Sequence, residues 1–396
     1  MTYINMTHLN IPRIFILLIA VFVLNGCTNS TTIKSTRHVP LQQQTTAIPE
    51  NQLLDVGVVT FDPGLDESDD DDAVLPEVRN AESYYLANQL RSAIQDSAAW
   101  GAVRVLPSTK PVTDVYVQGT ILESTGESLK LAITVSDTSG QPWYKKTYAA
   151  KASEYAYQRR KTLQRDPFSG LLNQIANDLL SYREKLDGDT AVKLHTISEL
   201  RFARDFSPES FDQHIVENRK GRLEISRLPA RNDPILARIQ KIQMRDDLYV
   251  DTMQEYYDNF SLRMEEPYQV WRTESYNEVI AARELKRQGT GRILGGIAAV
   301  VVGIVAAGSS DGSARAAAAV AIGSGGLLVQ SGIGKRAEAQ MHVEALAELG
   351  QSLEAELEPQ VIDLEDRTIT LTGNVESQYQ QWRDVLQKIY RAESGG

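Results

Sequence analysis

The segment Ser128–Ser136 alternates cleanly between apolar and polar side chains. Successive side chains of a β-strand point to opposite faces of a sheet, so this pattern predicts a strand with one buried face and one polar face. The apolar positions are Leu129, Leu131, Ile133 and Val135, and the polar positions are Lys130, Thr134 and Ser136. A fold that contains this strand must therefore cover one side of a sheet.

The segments around this strand predict an α/β domain over residues 53–188. Short runs of apolar and β-branched residues that end at turn residues indicate further strands, and apolar residues at three-four spacing indicate helices. The turn signal at Asp137–Gly140 predicts that the following strand pairs back as a hairpin. The predicted strands are Leu54–Phe61, Ala102–Leu106, Asp114–Leu122 and Trp143–Tyr148, and the predicted helices are Glu77–Asp96 and Phe168–Leu186.

The amino terminus has the pattern of an export signal. Arg13 precedes a short apolar run, Ile14–Val23, and the only cysteine of the chain, Cys27, follows four residues later. This layout is typical of a secretory signal peptide, and the run is too short to span a bilayer comfortably. The alternative is an ordinary signal peptide followed by a free thiol, since no second cysteine exists to form a disulfide.

The tetrapeptide Leu24-Asn25-Gly26-Cys27 resembles the lipobox of bacterial lipoproteins. The resemblance implies that residues 1–26 are removed and that Cys27 carries a diacylglyceryl thioether and an N-acyl chain. Several acyl chains anchor a protein firmly, because each buried methylene contributes about 0.8 kcal/mol. Lipoproteins held in the inner membrane usually have aspartate in the place of Thr28, so the resemblance favours the outer membrane, facing the periplasm. Residues 27–52 are Thr/Gln-rich and poor in apolar residues, which predicts a flexible tether.

Residues 189–288 predict a helical region without strands. Ser207-Pro208 and Asp233-Pro234 are typical helix starts, because a capping side chain precedes a proline at the first helical position. Pro267 predicts a break or kink in the second of these helices. Aromatic residues at helical spacing predict a helix-bundle core, and a groove for a sugar or peptide is the alternative. This aromatic stripe includes Tyr249, Tyr257, Phe260, Tyr268, Trp271 and Tyr276.

Residues 289–334 contain small side chains at every fourth position. The run Ile293–Ser310 is uncharged and strongly apolar, and the segment resembles a glycine-zipper helical hairpin, in which two helix backbones approach closely. Membrane insertion or association, self-association, and burial within a soluble domain all remain open, although Arg315 argues against deep insertion of the second arm. The small residues are Gly291, Gly295, Ala299, Gly303, Ala307, Ala317, Ala321 and Gly325.

Residues 335–396 predict a helix that Pro359 ends, a β-hairpin and a final helix over Gln378–Arg391. The strands of the hairpin are predicted at Val361–Leu364 and Thr368–Gly373. The predicted fold class is thus α+β. It comprises an N-terminal α/β domain with a mixed sheet, a mainly helical body with a glycine-zipper helical hairpin, and a small C-terminal hairpin-helix.

Residues 53–150 also resemble a second group of envelope proteins. A strand that ends in an apolar-Phe pair, a helix with Leu86-Ala87-Asn88-Gln89-Leu90, and the strand Asp114-Val115-Tyr116-Val117-Gln118-Gly119 look like an α/β domain of envelope lipoproteins. This group includes the curli-secretion pore protein and its relatives, and the domain before the propeller of TolB. Over residues 53–150 the resemblance implies a role in periplasmic assembly or secretion without catalysis. The membrane-inserting hairpins of the pore family have no counterpart in the sequence.

The sequence therefore predicts a non-enzymatic outer-membrane lipoprotein that scaffolds or assists envelope assembly, transport or secretion. Its expected partners are the membrane, through the lipid anchor, and further copies of itself or an envelope complex. The net charge of −11 argues against nucleic-acid binding, and no cofactor or metal site is expected. A periplasmic hydrolase with dispersed catalytic groups is one alternative, although His-Glu-x-x-His and P-loop motifs are missing. The other is a binding module for peptidoglycan or an exported polymer that uses Tyr256, Tyr257, Trp271 and Tyr276.

Overall fold

The computed structural model describes residues 30–34, 39–65, 75–158, 166–287, 343–351, 360–364 and 367–394. The predicted lipidation site Cys27 and the small residues of the predicted glycine zipper, Gly291 to Gly325, lie outside these ranges. The described residues form helices and one mixed six-stranded sheet, which confirms the α+β class.

The sheet consists of β1 (Ser30–Lys34), β2 (Val56–Val59), β3 (Val103–Leu106), β4 (Val115–Ser124), β5 (Ser128–Asp137) and β6 (Pro142–Lys151). The strand order is β1-β6-β5-β4-β2-β3. Strands β4, β5 and β6 are antiparallel, whereas β1 runs parallel to β6, and β2 runs parallel to both β3 and β4. The five strands predicted from the sequence are confirmed, and their order makes the sheet mixed.

The alternation in β5 is also confirmed. Its four apolar side chains are fully buried on the face that helices α1 (Pro76–Asp96) and α3 (Ser169–Arg183) cover, whereas Lys130 on the other face is exposed. The short helix α2 (Glu154–Gln158) connects β6 to the segment before α3. One buried face and one hydrated face are expected, because successive side chains of a strand point to opposite faces of the sheet.

The remaining described elements are helices α4 (Gly188–Phe206), α5 (Pro208–Phe211), α6 (Pro234–Arg287), α7 (343–351) and α8 (Val375–Ser394), and two antiparallel hairpins. The C-terminal hairpin of β9 (Gln360–Leu364) and β10 (Arg367–Leu371) confirms the prediction for this region. The hairpin of β7 (Ile215–Glu217) and β8 (Leu223–Ile225) corrects the prediction that residues 189–288 have no strands. Its strands have three residues each and bury only Ile215, so they give no periodic signal.

Helix α6 has 54 residues and is therefore about 80 Å long. Asp233 caps its start, since Oδ1 accepts hydrogen bonds from the N–H groups of Ile235 at 2.9 Å and Leu236 at 3.1 Å. The helix continues through Pro267, so of the predicted break or kink at this residue the break is wrong. An interior proline costs about 3 kcal/mol, and burial of Met264 and Tyr268 on either side offsets this cost.

The described part of the predicted tether is folded, which corrects the expectation of a flexible segment over residues 27–52. Strand β1 pairs with β6 along its whole length and buries Ile33. Further along, the N–H of Gln42 donates to Asn177 Oδ1 at 2.8 Å, and Asn177 Nδ2 donates to the carbonyl of Pro40 at 2.9 Å. These contacts use backbone groups, so they need no apolar pattern, and a composition rich in threonine and glutamine hides them.

The helical region and the sheet share one hydrophobic core. Helix α6 packs against α1, β3, α4 and α8, so it connects the sheet to the C-terminal helix. The amide of Asn88 on α1 donates to the carbonyl of Tyr257 at 3.3 Å and to Ser261 Oγ at 2.8 Å on α6. The two predicted regions therefore pack together as a continuous body in the described chain.

Candidate functional site

The aromatic residues proposed for a ligand groove are core residues. Tyr257 is fully buried, and Trp271 and Tyr276 are 9% and 8% exposed. Tyr257 stacks on Tyr84 of α1 with 6.4 Å between the ring centroids. The prediction of a buried helix face is confirmed for these positions, so they do not line a surface groove. Tyr256 is half-buried on the same helix.

The usual ligand crevice of an α/β sheet is filled by the chain itself. Such crevices lie beyond the carboxyl ends of parallel strands where the strand order reverses, which in this sheet is between β2 and β4. Phe61 is buried there, and its ring lies against Gly119, where an added Cβ would be 2.7 Å away. Arg79 closes the same place, since its guanidinium donates to the carbonyls of Ile121 at 3.0 Å and Pro63 at 3.5 Å.

Asp114, His195 and Ser198 bring together the residue types of a serine-hydrolase triad at the amino end of β4. Asp114 is 1% exposed, accepts a hydrogen bond from Ser198 Oγ at 2.5 Å, and lies 3.1 Å from His195 Nδ1. The carboxylate therefore lies between the serine and the histidine. In a catalytic triad the histidine lies between the other two and takes the proton of the serine. Ser198 Oγ instead donates a hydrogen bond to the carboxylate of Asp114, so His195 is not placed to take the proton of the serine.

The charge of His195 fits the same conclusion. The hydrogen bond to Asp114 raises the pKa of His195 to about 9, against the opposing effect of burial. The imidazole is therefore a cation at pH 7, and it cannot accept a proton as a general base does. The N–H of Asp55 also donates to Asp114 at 2.9 Å. The cluster thus attaches α4 to the amino ends of β2 and β4.

A second polar cluster surrounds Arg104 on β3. Its guanidinium binds the carboxylate of Asp251 on α6 through two hydrogen bonds of 2.6 and 3.0 Å. It also lies 3.5 Å from Asp55 and 3.7 Å from Asp247. Burial raises the pKa of Asp55, and it raises the pKa of Asp247 to about 6. Among the described residues no group of three or more histidine, cysteine and acidic side chains could hold a metal ion, and Arg104 supplies the positive charge of this cluster.

The third cluster is fully buried between α1 and α6. Glu82 accepts hydrogen bonds from Ser124 Oγ at 2.5 Å and Tyr268 Oη at 2.6 Å. The guanidinium of Arg272 lies 3.6 Å from the same carboxylate oxygen and also donates to Tyr268. Glu82 and Arg272 are both 0% exposed, so these charges bind each other and do not meet a substrate. Sequence reasoning missed this pair, because a glutamate and an arginine 190 positions apart give no local pattern.

A shallow recess of about 220 Å³ lies between β6 and α3. Asp178 in its wall is bound by Lys146 Nζ at 2.6 Å and Tyr148 Oη at 2.8 Å. Ligand pockets usually have 300–1,000 Å³, so this recess is small, and Lys146 and Asp178 in its wall already bind each other. Its lining residues are Tyr144, Lys146, Asp178, Ser181, Tyr182 and Lys185.

The clusters therefore join elements of the fold to one another. No protein-family profile, no curated protein and no solved structure matches this chain. Among the described helices, none is both long enough and apolar enough to cross a membrane.

Proposed function

We propose that this chain is an outer-membrane lipoprotein that faces the periplasm and acts as a non-enzymatic scaffold for envelope assembly, transport or secretion. The observation that carries the proposal is the sequence Leu24-Asn25-Gly26-Cys27, which ends a short apolar run at the only cysteine. Acyl chains on Cys27 fix the location of the protein, and no membrane-spanning helix is then required for attachment.

Two features of the described fold support a scaffold. The crevice between β2 and β4 is filled by Phe61 and Arg79, which leaves no room there for a substrate. The long helix α6 also exposes large apolar side chains, namely Met244, Leu248 and Leu262, each more than 60% exposed. Met244 and Leu248 lie one helical turn apart, so they form an exposed apolar pair that suits contact with another protein.

We extend the proposal to the small-residue repeat. Its positions from Gly291 to Gly325 provide a second contact, either with the membrane or with another copy of the chain. Glycine costs about 1 kcal/mol per helical position relative to alanine, so such a repeat requires close packing or a membrane to be retained.

The experiment that tests the proposal is mass spectrometry of the mature amino terminus, together with fractionation of the membranes. We expect a chain that begins at Cys27 with the mass of a diacylglyceryl group and an acyl chain, found in the outer-membrane fraction. A free thiol at Cys27, or a chain that still carries residues 1–26, contradicts the proposal. Thr28→Asp is the matched variant, and we expect it to be acylated in the same way but retained in the inner membrane.

Carbonate extraction of a Cys27→Ala variant, exported with a cleavable signal, tests the second contact. Retention in the membrane supports insertion or binding by residues 289–334, whereas release supports a role in packing or self-association. Gly295→Leu with Gly303→Leu, introduced into this variant, removes the close approach of the backbones. We expect it to separate the copies of a released protein and to leave a retained one in the membrane, because leucine itself favours insertion into a bilayer.

A further inference from the structure

Over strands β5 and β6 the described helices leave one face of the central sheet open, whereas Tyr116 on β4 is buried on that face beside Arg201 of α4. On strands β5 and β6 this face carries Lys130, Lys145 and Lys151, and all three side chains are exposed. The side chains between them are short: Ala132 and Thr134 on β5, and Thr147 and Ala149 on β6. A flat face with projecting lysines can approach a planar surface closely.

The charge of this face is opposite to that of the whole chain. The chain has a net charge of −11, yet the register of the strands places three exposed lysines together on β5 and β6. The carboxylate nearest in register is Glu123, which lies opposite Lys130 and accepts a hydrogen bond from Ser128. The face therefore keeps a net positive charge.

Strand β1 fixes how far this face can be from the lipid anchor. Only two residues separate Cys27 from Ser30, the first residue of β1. A chain of this length extends by at most about 11 Å. This is comparable to the Debye length of about 8 Å at physiological ionic strength, so charges on the sheet interact with the membrane surface across this gap.

We infer that the face of Lys130, Lys145 and Lys151 rests on the anionic phospholipid headgroups of the leaflet that holds the acylated Cys27. The short connection brings the β1 edge of the sheet to the surface, and the lysines then orient the sheet with its open face toward the lipid. The inference rests on the proposed lipid anchor for its geometry. The attraction between lysines and anionic lipid is independent of acylation, so it can be measured without the anchor.

The test uses the full chain with Cys27→Ala and vesicles of phosphatidylcholine with or without 30% phosphatidylglycerol. Each lysine near an anionic surface strengthens binding about fivefold, so three lysines account for a factor on the order of 100. We expect Lys130→Gln, Lys145→Gln and Lys151→Gln together to remove most of the preference for the anionic vesicles. Salt at 500 mM is expected to remove the same preference from the chain with its lysines intact.

The matched control replaces three exposed lysines elsewhere, Lys193, Lys220 and Lys241, with glutamine. This variant has the same net charge as the triple variant of the sheet face. We expect it to keep the preference for anionic vesicles. Where the parent chain prefers the anionic vesicles, an equal loss in both triple variants or no loss in either overturns the inference, as does a parent chain that binds neither kind of vesicle.

A second measurement applies if residues 289–334 hold every variant on both kinds of vesicle. In the acylated protein Cys27 has no free thiol, so Thr134→Cys introduces a single reactive site on the open face, and Thr252→Cys introduces one on α6. On anionic vesicles we expect a water-soluble thiol reagent to label residue 134 at least tenfold more slowly than in detergent, and residue 252 at the same rate in both. Equal labelling of residue 134 in both conditions overturns the inference, whereas an unacylated Cys27 in the same sample contradicts the proposed function instead.

Discussion

The side-chain amide of Gln254 makes both of the hydrogen bonds that the backbone of Val105 offers on the outer edge of β3. Gln254 Oε1 accepts from the N–H of Val105 at 2.7 Å, and Gln254 Nε2 donates to the carbonyl of Val105 at 3.1 Å. A glutamine on α6 thus takes the place of a neighbouring strand. Since an unpaired sheet edge can pair with another chain, α6 protects the sheet from association at β3.

Gln254→Leu is expected to leave both backbone groups of Val105 unpaired in a buried place. We predict a decrease of about 1–3 kcal/mol in the free energy of unfolding, measured by urea denaturation. Gln254→Glu keeps the hydrogen-bond acceptor but loses the donor. Because a protonated carboxyl group can donate again, this variant should lose less unfolding free energy at low pH than at neutral pH. Glu255→Gln, at an exposed neighbouring position, serves as the control and should not change stability. Equal stability of Gln254→Leu and the control would mean that the two bonds contribute nothing.

Glu82 and Arg272 should behave as a coupled pair. Removing one partner leaves an uncompensated buried charge, so Glu82→Leu or Arg272→Met alone should decrease the free energy of unfolding by about 3–5 kcal/mol. The double variant replaces both charges with apolar groups, and we expect it to be more stable than either single variant. A double-mutant cycle in urea measures this coupling. Additive losses in the double variant would contradict it.

Gly126 should not tolerate a side chain. It lies in the β4–β5 turn, where an added Cβ would be 2.1 Å from the carbonyl oxygen of Arg272 and 2.2 Å from the nitrogen of Tyr276 on α6. Because both are backbone atoms, the turn and α6 must separate, and we expect Gly126→Ala to decrease the free energy of unfolding by about 1–3 kcal/mol. Thermal denaturation measures the loss.

The control for this variant is Gly170→Ala at the start of α3. An added Cβ there meets Val39 at 3.7 Å, which is ordinary van der Waals contact. Alanine favours the helix by up to about 1 kcal/mol over glycine, so this control should be neutral or more stable. If Gly126→Ala is as stable as Gly170→Ala, the β4–β5 turn does not pack closely enough against the backbone of α6 to exclude a side chain.

The stability of the protein should depend on pH through His195. Its pKa rises from 6.5 to about 9 on folding because the imidazolium ring donates a hydrogen bond to Asp114. Between these pH values the folded state binds more protons than the unfolded state, so the free energy of unfolding falls as the pH rises. The stabilisation that this pKa shift provides is fully present below pH 6.5 and is lost as the pH rises through about 9.

His195→Gln is expected to remove this slope, so the difference in unfolding free energy between the two proteins should shrink from pH 6.5 to pH 9. The measurement belongs above pH 6.5, because Asp247, whose pKa is raised to about 6, titrates below it. Lys193→Gln on the same helix is the control and should keep the slope. An apparent pKa near 6.5 for His195 in an NMR titration would contradict the prediction.

The sheet was predictable from the sequence because its signal is local. Leu129, Leu131 and Ile133 alternate with polar residues, and the period of two identifies both the strand and its buried face without knowledge of its neighbours. The start of α6 was predictable for the same reason, since Asp233 caps the helix within three residues. The lipobox and the small-residue repeat are also local patterns, but they fall outside the described residues and stay predictions.

The contacts that join the elements were not predictable. Gln254 and Val105 are 149 positions apart, and nothing in the local sequence marks a polar residue on α6 as the partner of a strand. The placement of Pro40 and Gln42 depends on Asn177, which is 135 positions from Gln42. Pro267 misled the prediction because the tertiary packing of its neighbours outweighs its local effect.

The parallel pairing of β1 with β6 makes the first residues after the proposed cleavage site a part of the sheet. Under the proposed lipoprotein topology, signal removal and completion of the fold are coupled, since β1 can join β6 only once the segment before it has left the export machinery. Until then Pro142–Lys151 is an open edge that can pair with another nascent copy. A shortened chain that begins after residue 38 would keep that edge open permanently, so a truncation meant to make the protein more soluble would promote its aggregation.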